Sequence, residues 1–229
     1  HGHGTHVAGT IGGEHYGVAK HVKLVSVRVM GCSGTGTVSG IAKGIEWVTL
    51  NHRSRGAGAL SVANMSLGSA NSPVIDTALV NSIAAGVSYA VAAGNTTSGL
   101  LGLLSGTDSC KQSPARVSYA LTVGATDDKD AKASFSKAGK CIDFFAPGAS
   151  ITSAARTGVD NWVIMSGTSM ASPHAAGVAA LHLGNVARTQ GKVATPAEVH
   201  AALVALATKG KVTSPGTATN NHLLYTGDL

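Results

Sequence analysis

Three short segments of this chain hold side chains that can act together as base, anion binder and nucleophile. His3-Gly4-Thr5-His6-Val7-Ala8-Gly9 comes first, Ala92-Ala93-Gly94-Asn95 second, and Gly167-Thr168-Ser169-Met170-Ala171-Ser172-Pro173-His174 third. Ser169 follows Gly and Thr and opens an alanine-rich helical stretch. A serine there has its backbone N–H at the positive end of a helix, which suits a developing oxyanion. Its hydroxyl needs a base to become a nucleophile, and His3 is the candidate. Asn95 follows Ala-Ala-Gly, where the chain turns out of a strand, and its amide can supply a second oxyanion donor. Taken singly, each residue also has a plain structural reading: Ser169 as a helix cap, His3 as a packing histidine, Asn95 as a turn residue.

The elements that must position these residues are legible as alternating runs. Apolar, β-branched stretches at Lys23–Met30, Leu60–Leu67, Val87–Ala92, Leu121–Ala125 and Ile142–Phe145 predict strands. Between and after them, Val38–Leu50, Pro73–Ala85, Ser169–Leu183 and Pro196–Ala207 predict helices, the second stopping at Gly86 and the fourth capped by Thr195. Strand–helix alternation implies right-handed crossovers, hence an α/β, doubly wound, mostly parallel sheet with helices on both faces. In such sheets the site lies beyond the carboxyl ends of the strands. With no internal repeat and no linker, residues 1–229 read as one domain.

Composition agrees. The chain is 44% hydrophobic and 12% charged, with 30 glycines, which fits close packing and excludes a disordered chain. Its 17 Lys and Arg give a net charge of +6 but are scattered, without runs or aromatic interleaving, so a nucleic-acid surface is not expected. No apolar stretch is long enough to span a membrane, and no membrane association is expected. Three cysteines leave one without a partner inside the chain.

All three reactive segments, in this order, resemble the three signature blocks of the subtilisin superfamily, with details that favour its proteinase K branch. Val22–Ser39, Val62–Gly68, Ser113–Ala125, Ser134–Gly148 and Leu223–Gly227 match as well, so the resemblance covers nearly the whole chain. It implies a serine endopeptidase in which His3 is general base and then general acid, Ser169 forms an acyl-enzyme, and Asn95 with the Ser169 N–H binds the oxyanion. His6, one helical turn beyond His3, is then structural. The family binds peptide as an added strand, which places substrate against Gly34, Thr35 and Gly36 on one side and Ser66, Leu67 and Gly68 on the other. Ser66 to Gly68 with Ala92, Ala93 and Gly94 would line a neutral pocket for apolar or aromatic side chains.

The same resemblance implies a structural calcium at Asp143, with the carbonyls of Ser118 and Ala120, and no cofactor for catalysis. It pairs Cys110 with Cys141 and gives Cys32 a partner just before the position of His1. It implies secretion, polypeptide substrates, a propeptide or protein inhibitors as partners, and a monomer.

Two departures stand against the pattern. The family's catalytic aspartate precedes its histidine, yet only His1 and Gly2 precede His3 here. The expectation is an N-terminally truncated fragment that lacks the first strands of the sheet and is poorly active alone. The second departure is an apolar, glycine-rich insertion at Thr96–Thr107. Rival classes fit less well. His1-x-His3-x-x-His6 could share zinc, but the metallo-β-lactamase pattern wants Asp at Thr5. An α/β-hydrolase wants glycine at Ala171 and its histidine after the serine. A non-catalytic, peptide-binding module on the subtilisin fold is the serious alternative.

Overall fold

Among the described residues, four of the five apolar runs enter a six-stranded sheet. The structure is a computed structural model and describes residues 1–96, 106–158 and 160–227, so the core of the expected insertion lies outside the described residues. The strands of this sheet are β1 (Val62–Met65), β3 (Ser88–Ala92), β5 (Leu121–Thr126), β6 (Phe144–Pro147), β9 (Thr208–Lys209) and β10 (His222–Leu223). They lie in the order β1-β3-β5-β6-β10-β9, all parallel except β9. Two small antiparallel pairs accompany it: β2 (Ser69–Ala70) with β4 (Gln112–Ser113), and β7 (Ile151–Ala154) with β8 (Trp162–Met165).

Helices cover both faces, as a parallel sheet requires. On one side lie α2 (Val38–Ser54) and α3 (Pro73–Ala84). Ile41, Ile45, Ile75 and Leu79 from them meet Met65, Tyr89 and Val91 of the sheet. On the other lie α4 (Thr168–Gln190) and α5 (Pro196–Leu206), whose Ala171, Ala175, Ala179 and Leu203 meet Ala90, Val123 and Phe144. Tyr89 and Val91 against Ala90 show the period-two alternation of a strand buried on both faces. Helix starts follow local chemistry. Ser72 accepts from the Ile75 N–H ahead of Pro73, and Thr195 and Glu198 form a reciprocal capping box ahead of Pro196.

A further helix, α1 (His3–Gly12), packs against α4. The fit there is close: a Cβ at Gly177 would stand 2.6 Å from Val18 Cβ and 3.3 Å from the Ile11 carbonyl. The alanine and glycine content of α4 therefore brings the helix that carries His3 against the helix that carries Ser169.

Two expected strands differ. Residues 23–30 form no regular element and join no ladder among the described residues. Val29 and Met30 pack against the α2–α3 core, while Leu24 and Val25 are exposed. An apolar run supplies the side chains of a strand, but only a neighbour supplies its hydrogen bonds. The strand expected from Ile142 begins at Phe144, because the Ile142 N–H closes a turn onto the Gly139 carbonyl.

Candidate active site

The centre of the site is the turn that enters α4. The Thr168 N–H and the Thr168 hydroxyl both donate to Asn95 Oδ1, at 3.0 and 2.9 Å, and the Gly94 N–H donates to Thr168 Oγ1 at 3.2 Å. A backbone N–H can only donate, so this pattern fixes which end of the Asn95 amide is oxygen. It leaves the Nδ2 protons free to point elsewhere. Asn95 is exposed, just past the buried Ala92 and Ala93 at the end of β3. A Cβ on Gly167 would stand 3.2 Å from Asn95 Nδ2, so glycine there keeps the approach to the amide open.

Ser169 is tied to β1's exit. Its hydroxyl donates to the Ser66 carbonyl at 3.4 Å, and the Ser66 hydroxyl donates to the Ser169 carbonyl at 2.7 Å. Behind this pair, Asn64 Nδ2 donates to Ser66 Oγ at 3.0 Å and Ser172 Oγ donates to Asn64 Oδ1 at 2.6 Å. Asn64 and Ser172 were not singled out from the sequence. Asn64 had a visible signal, as the one polar side chain in the strand Val-Ala-Asn-Met. Ser172 had none beyond its position one turn after Ser169.

His3 lies half-buried in the first turn of α1, with the His1 ring 6.2 Å from its own. Desolvation, and secondarily the neighbouring His6, hold its pKa below the usual imidazole value. A neutral imidazole is the form that can accept a proton. His6 itself is buried, its Nε2 bonded to the Ile151 carbonyl at 2.9 Å, and its own carbonyl accepts from Ser153 Oγ. That is the structural role expected of it. In this conformation the Ser169 hydroxyl bonds to Ser66 rather than to His3.

Both expected substrate-binding segments are extended or turned backbone. Gly34 has φ 79° and closes a turn in which the Gly31 N–H donates to the Thr35 carbonyl. A Cβ at Gly34 would stand 3.1 Å from His1 Nε2, so this segment lies beside the start of the chain. Gly36 admits no side chain against the Val29 carbonyl and Met30 Sδ. Ser66, Leu67 and Gly68 lead from β1 into β2. Gly94, φ 96°, has no room for a Cβ beside Gln112 Oε1.

Cys110 and Cys141 form a disulfide, and Cys32 is free and exposed, with Arg28 Nη2 at 3.6 Å from its sulfur. The expected calcium position can be tested on its donors. Asp143 Oδ2 accepts from the Thr122 N–H at 2.7 Å, and Oδ1 pairs with His200 Nε2 at 3.0 Å. The carboxylate raises the imidazole pKa through that hydrogen bond. The Thr122 N–H and the His200 ring thus take one oxygen each of the carboxylate that calcium would use.

Comparison with known proteins agrees with this geometry. The model of the subtilase family, Peptidase S8, matches residues 1–223. The chain is 48% identical to alkaline serine exoprotease A of Vibrio alginolyticus, over 98% of this chain and 38% of that protein. It is 49% identical to the extracellular serine proteinase of Thermus sp. strain Rt41A, over 98% of this chain and 50% of that protein. It therefore spans half or less of the length of these two relatives. A crystal structure of a cold-adapted subtilisin-like serine proteinase superposes with TM-score 0.85 at 46% identity, covering 98% of this chain and 74% of that one. The chain belongs to the subtilase family, with a subtilisin-like α/β fold.

Proposed function

We propose that this protein is a serine endopeptidase that cleaves peptide bonds through an acyl-enzyme on Ser169. The observation that carries the reading is the fixed Asn95 amide, its oxygen held by Thr168 so that its N–H₂ is free beside the serine that heads α4. In the proposed reaction His3 accepts the Ser169 proton as Oγ attacks the peptide carbonyl. The oxyanion meets the Ser169 N–H and Asn95 Nδ2. His3 then protonates the leaving amine, and water, deprotonated by His3, releases the acid and restores Ser169. Substrate lies as a strand against Gly34–Gly36 and Ser66–Gly68, and small neutral pocket walls favour apolar or aromatic side chains.

His3 needs an orienting carboxylate, and we assign it to sequence outside residues 1–229. Five of the eleven acids have partners elsewhere: Asp76 with Arg116, Asp143 with His200, Glu198 with Lys192 and Thr195, Asp108 with the Cys110 N–H and Asp127 with the Lys129 and Ala131 N–H groups. Among the described residues β1 is paired on one side only, and residues 23–30, of which Val29 and Met30 pack on the same core, join no ladder. A further strand would satisfy both. Secretion, a monomeric state and propeptide or protein inhibitors belong to the same reading. It is supported by one relative being named an extracellular proteinase and by the absence of any membrane-spanning helix among the described residues.

The alternative is a peptide-binding module without turnover, favoured by the missing carboxylate on His3. A serine-directed fluorophosphonate separates the two. The complete protein should be labelled at Ser169, as read by peptide mass mapping. No labelling, or labelling at another serine, removes the catalytic reading.

Asn95→Ala should lower kcat by about 10²–10³ with little change in KM, because the amide meets charge that exists mainly in the transition state. Steady-state kinetics on a neutral peptide substrate measures it, and an unchanged kcat takes Asn95 out of the oxyanion hole.

A further inference from the structure

We infer that His200 does at Asp143 the work of a cation, so that this corner of the fold is closed by an imidazole–carboxylate pair and needs no metal. Asp143 stands immediately before β6 and joins four elements. Its N–H donates to the Thr122 carbonyl at 3.0 Å and its Oδ2 accepts from the Thr122 N–H at 2.7 Å, which ties it to β5. Its own carbonyl bonds to His222 Nδ1 of β10 at 3.1 Å. Its remaining oxygen takes His200 Nε2 from α5 at 3.0 Å. A metal ion held by this carboxylate would clasp the same neighbourhood, and the imidazole already does so.

The pair is built rather than incidental. His200 projects from the second turn of α5, a helix fixed at its start by the Thr195–Glu198 capping box and packed into the core through Val199 and Leu203. Both side chains are mostly shielded, at 25% and 19% exposure. The Tyr119 ring stands edge-on to the His200 ring, with centroids 6.5 Å apart, from a backbone with φ 68°. A left-handed tyrosine is unusual. An imidazole N–H donates to a carboxylate in either charge state, so the contact itself does not depend on protonation.

The test is thermal stability of the complete protein, with Ser169→Ala in the background to stop self-digestion. Scanning calorimetry is run in EDTA and in millimolar CaCl2 for His200, His200→Ala, Asp143→Asn and the double variant. With His200 present, calcium should give the same Tm change in the Asp143 protein as in Asp143→Asn. His200→Ala should lower Tm in EDTA by about 5 °C. The double variant should fall no further than its singles, the sign that the two side chains act as one unit. A calcium-dependent rise in Tm that disappears in Asp143→Asn alone would overturn the inference. So would His200→Ala as stable as its parent in EDTA, or strictly additive losses. If His200→Ala does not fold, His200→Gln and calcium titration calorimetry of Asp143 against Asp143→Asn keep it open to refutation. Equal heats support it, and an extra site lost with Asp143 rejects it.

Discussion

Replacing Ser169 by alanine is expected to lower turnover of a neutral peptide substrate by about 10⁶ in the complete protein, with KM changed no more than severalfold. The reasoning rests on what the hydroxyl does and does not hold. The turn into α4 is fixed by Thr168 on Asn95, by the Gly167 N–H on the Gly148 carbonyl at 2.8 Å and by the Met170 N–H on the Gly167 carbonyl at 3.0 Å. The Ser66 hydroxyl is anchored on the Ser169 carbonyl, which alanine retains. The serine hydroxyl contributes one long bond to the Ser66 carbonyl and no packing of consequence. Its loss should therefore leave stability within about 1 kcal/mol, as read by denaturant unfolding. Chemistry stops because nothing else at that place can form the acyl bond. Residual activity near the parent's would transfer the nucleophile's role to another residue.

How much of this was readable from residues alone depends on how local each feature is. The helices of Val38–Ser54, Pro73–Ala84 and Pro196–Leu206 announce themselves through caps a few positions apart, and their starts were read correctly. Asn95, Ser169 and the Cys110–Cys141 bond were legible through a resemblance spread over the whole chain. The failed strand at residues 23–30 shows the limit of the apolar pattern, since pairing is a property of two segments. Asn64 and Ser172 sit 108 positions apart and are joined by one hydrogen bond that no local rule encodes. His200 is the sharpest case. From the sequence, Asp143 reads as a calcium ligand, because the residue that reaches its carboxylate lies 57 positions further on in another element. Resemblance carries residues over one by one, but it does not show which side chains pack around them.

The carboxylate proposed for His3 gives the second large effect. If it comes from outside residues 1–229, the purified 229-residue chain should turn over a neutral peptide substrate at a rate lower than that of the complete protein by on the order of 10⁴. A carboxylate on the second ring nitrogen holds one tautomer and stabilises the imidazolium that forms as Ser169 loses its proton. In the present structure His3 has the opposite environment. Burial and, secondarily, the neighbouring His6 press its pKa below the ordinary imidazole value, and among the described residues no carboxylate offsets them. The sign of the pH effect follows. An anion beside the ring favours the protonated form and raises the pKa. The base-competent, neutral fraction then appears at higher pH, so the rising limb of kcat/KM should lie at higher pH in the complete protein than for the residual activity of the 229-residue chain. Loss of a strand beside β1 lowers rate by disordering the site but gives no reason for that shift. The pH profile thus separates an orienting carboxylate from mere stabilisation. A 229-residue chain, free of other proteases, that matched the complete protein in rate and in the position of its rising limb would require an acid within these residues to orient His3.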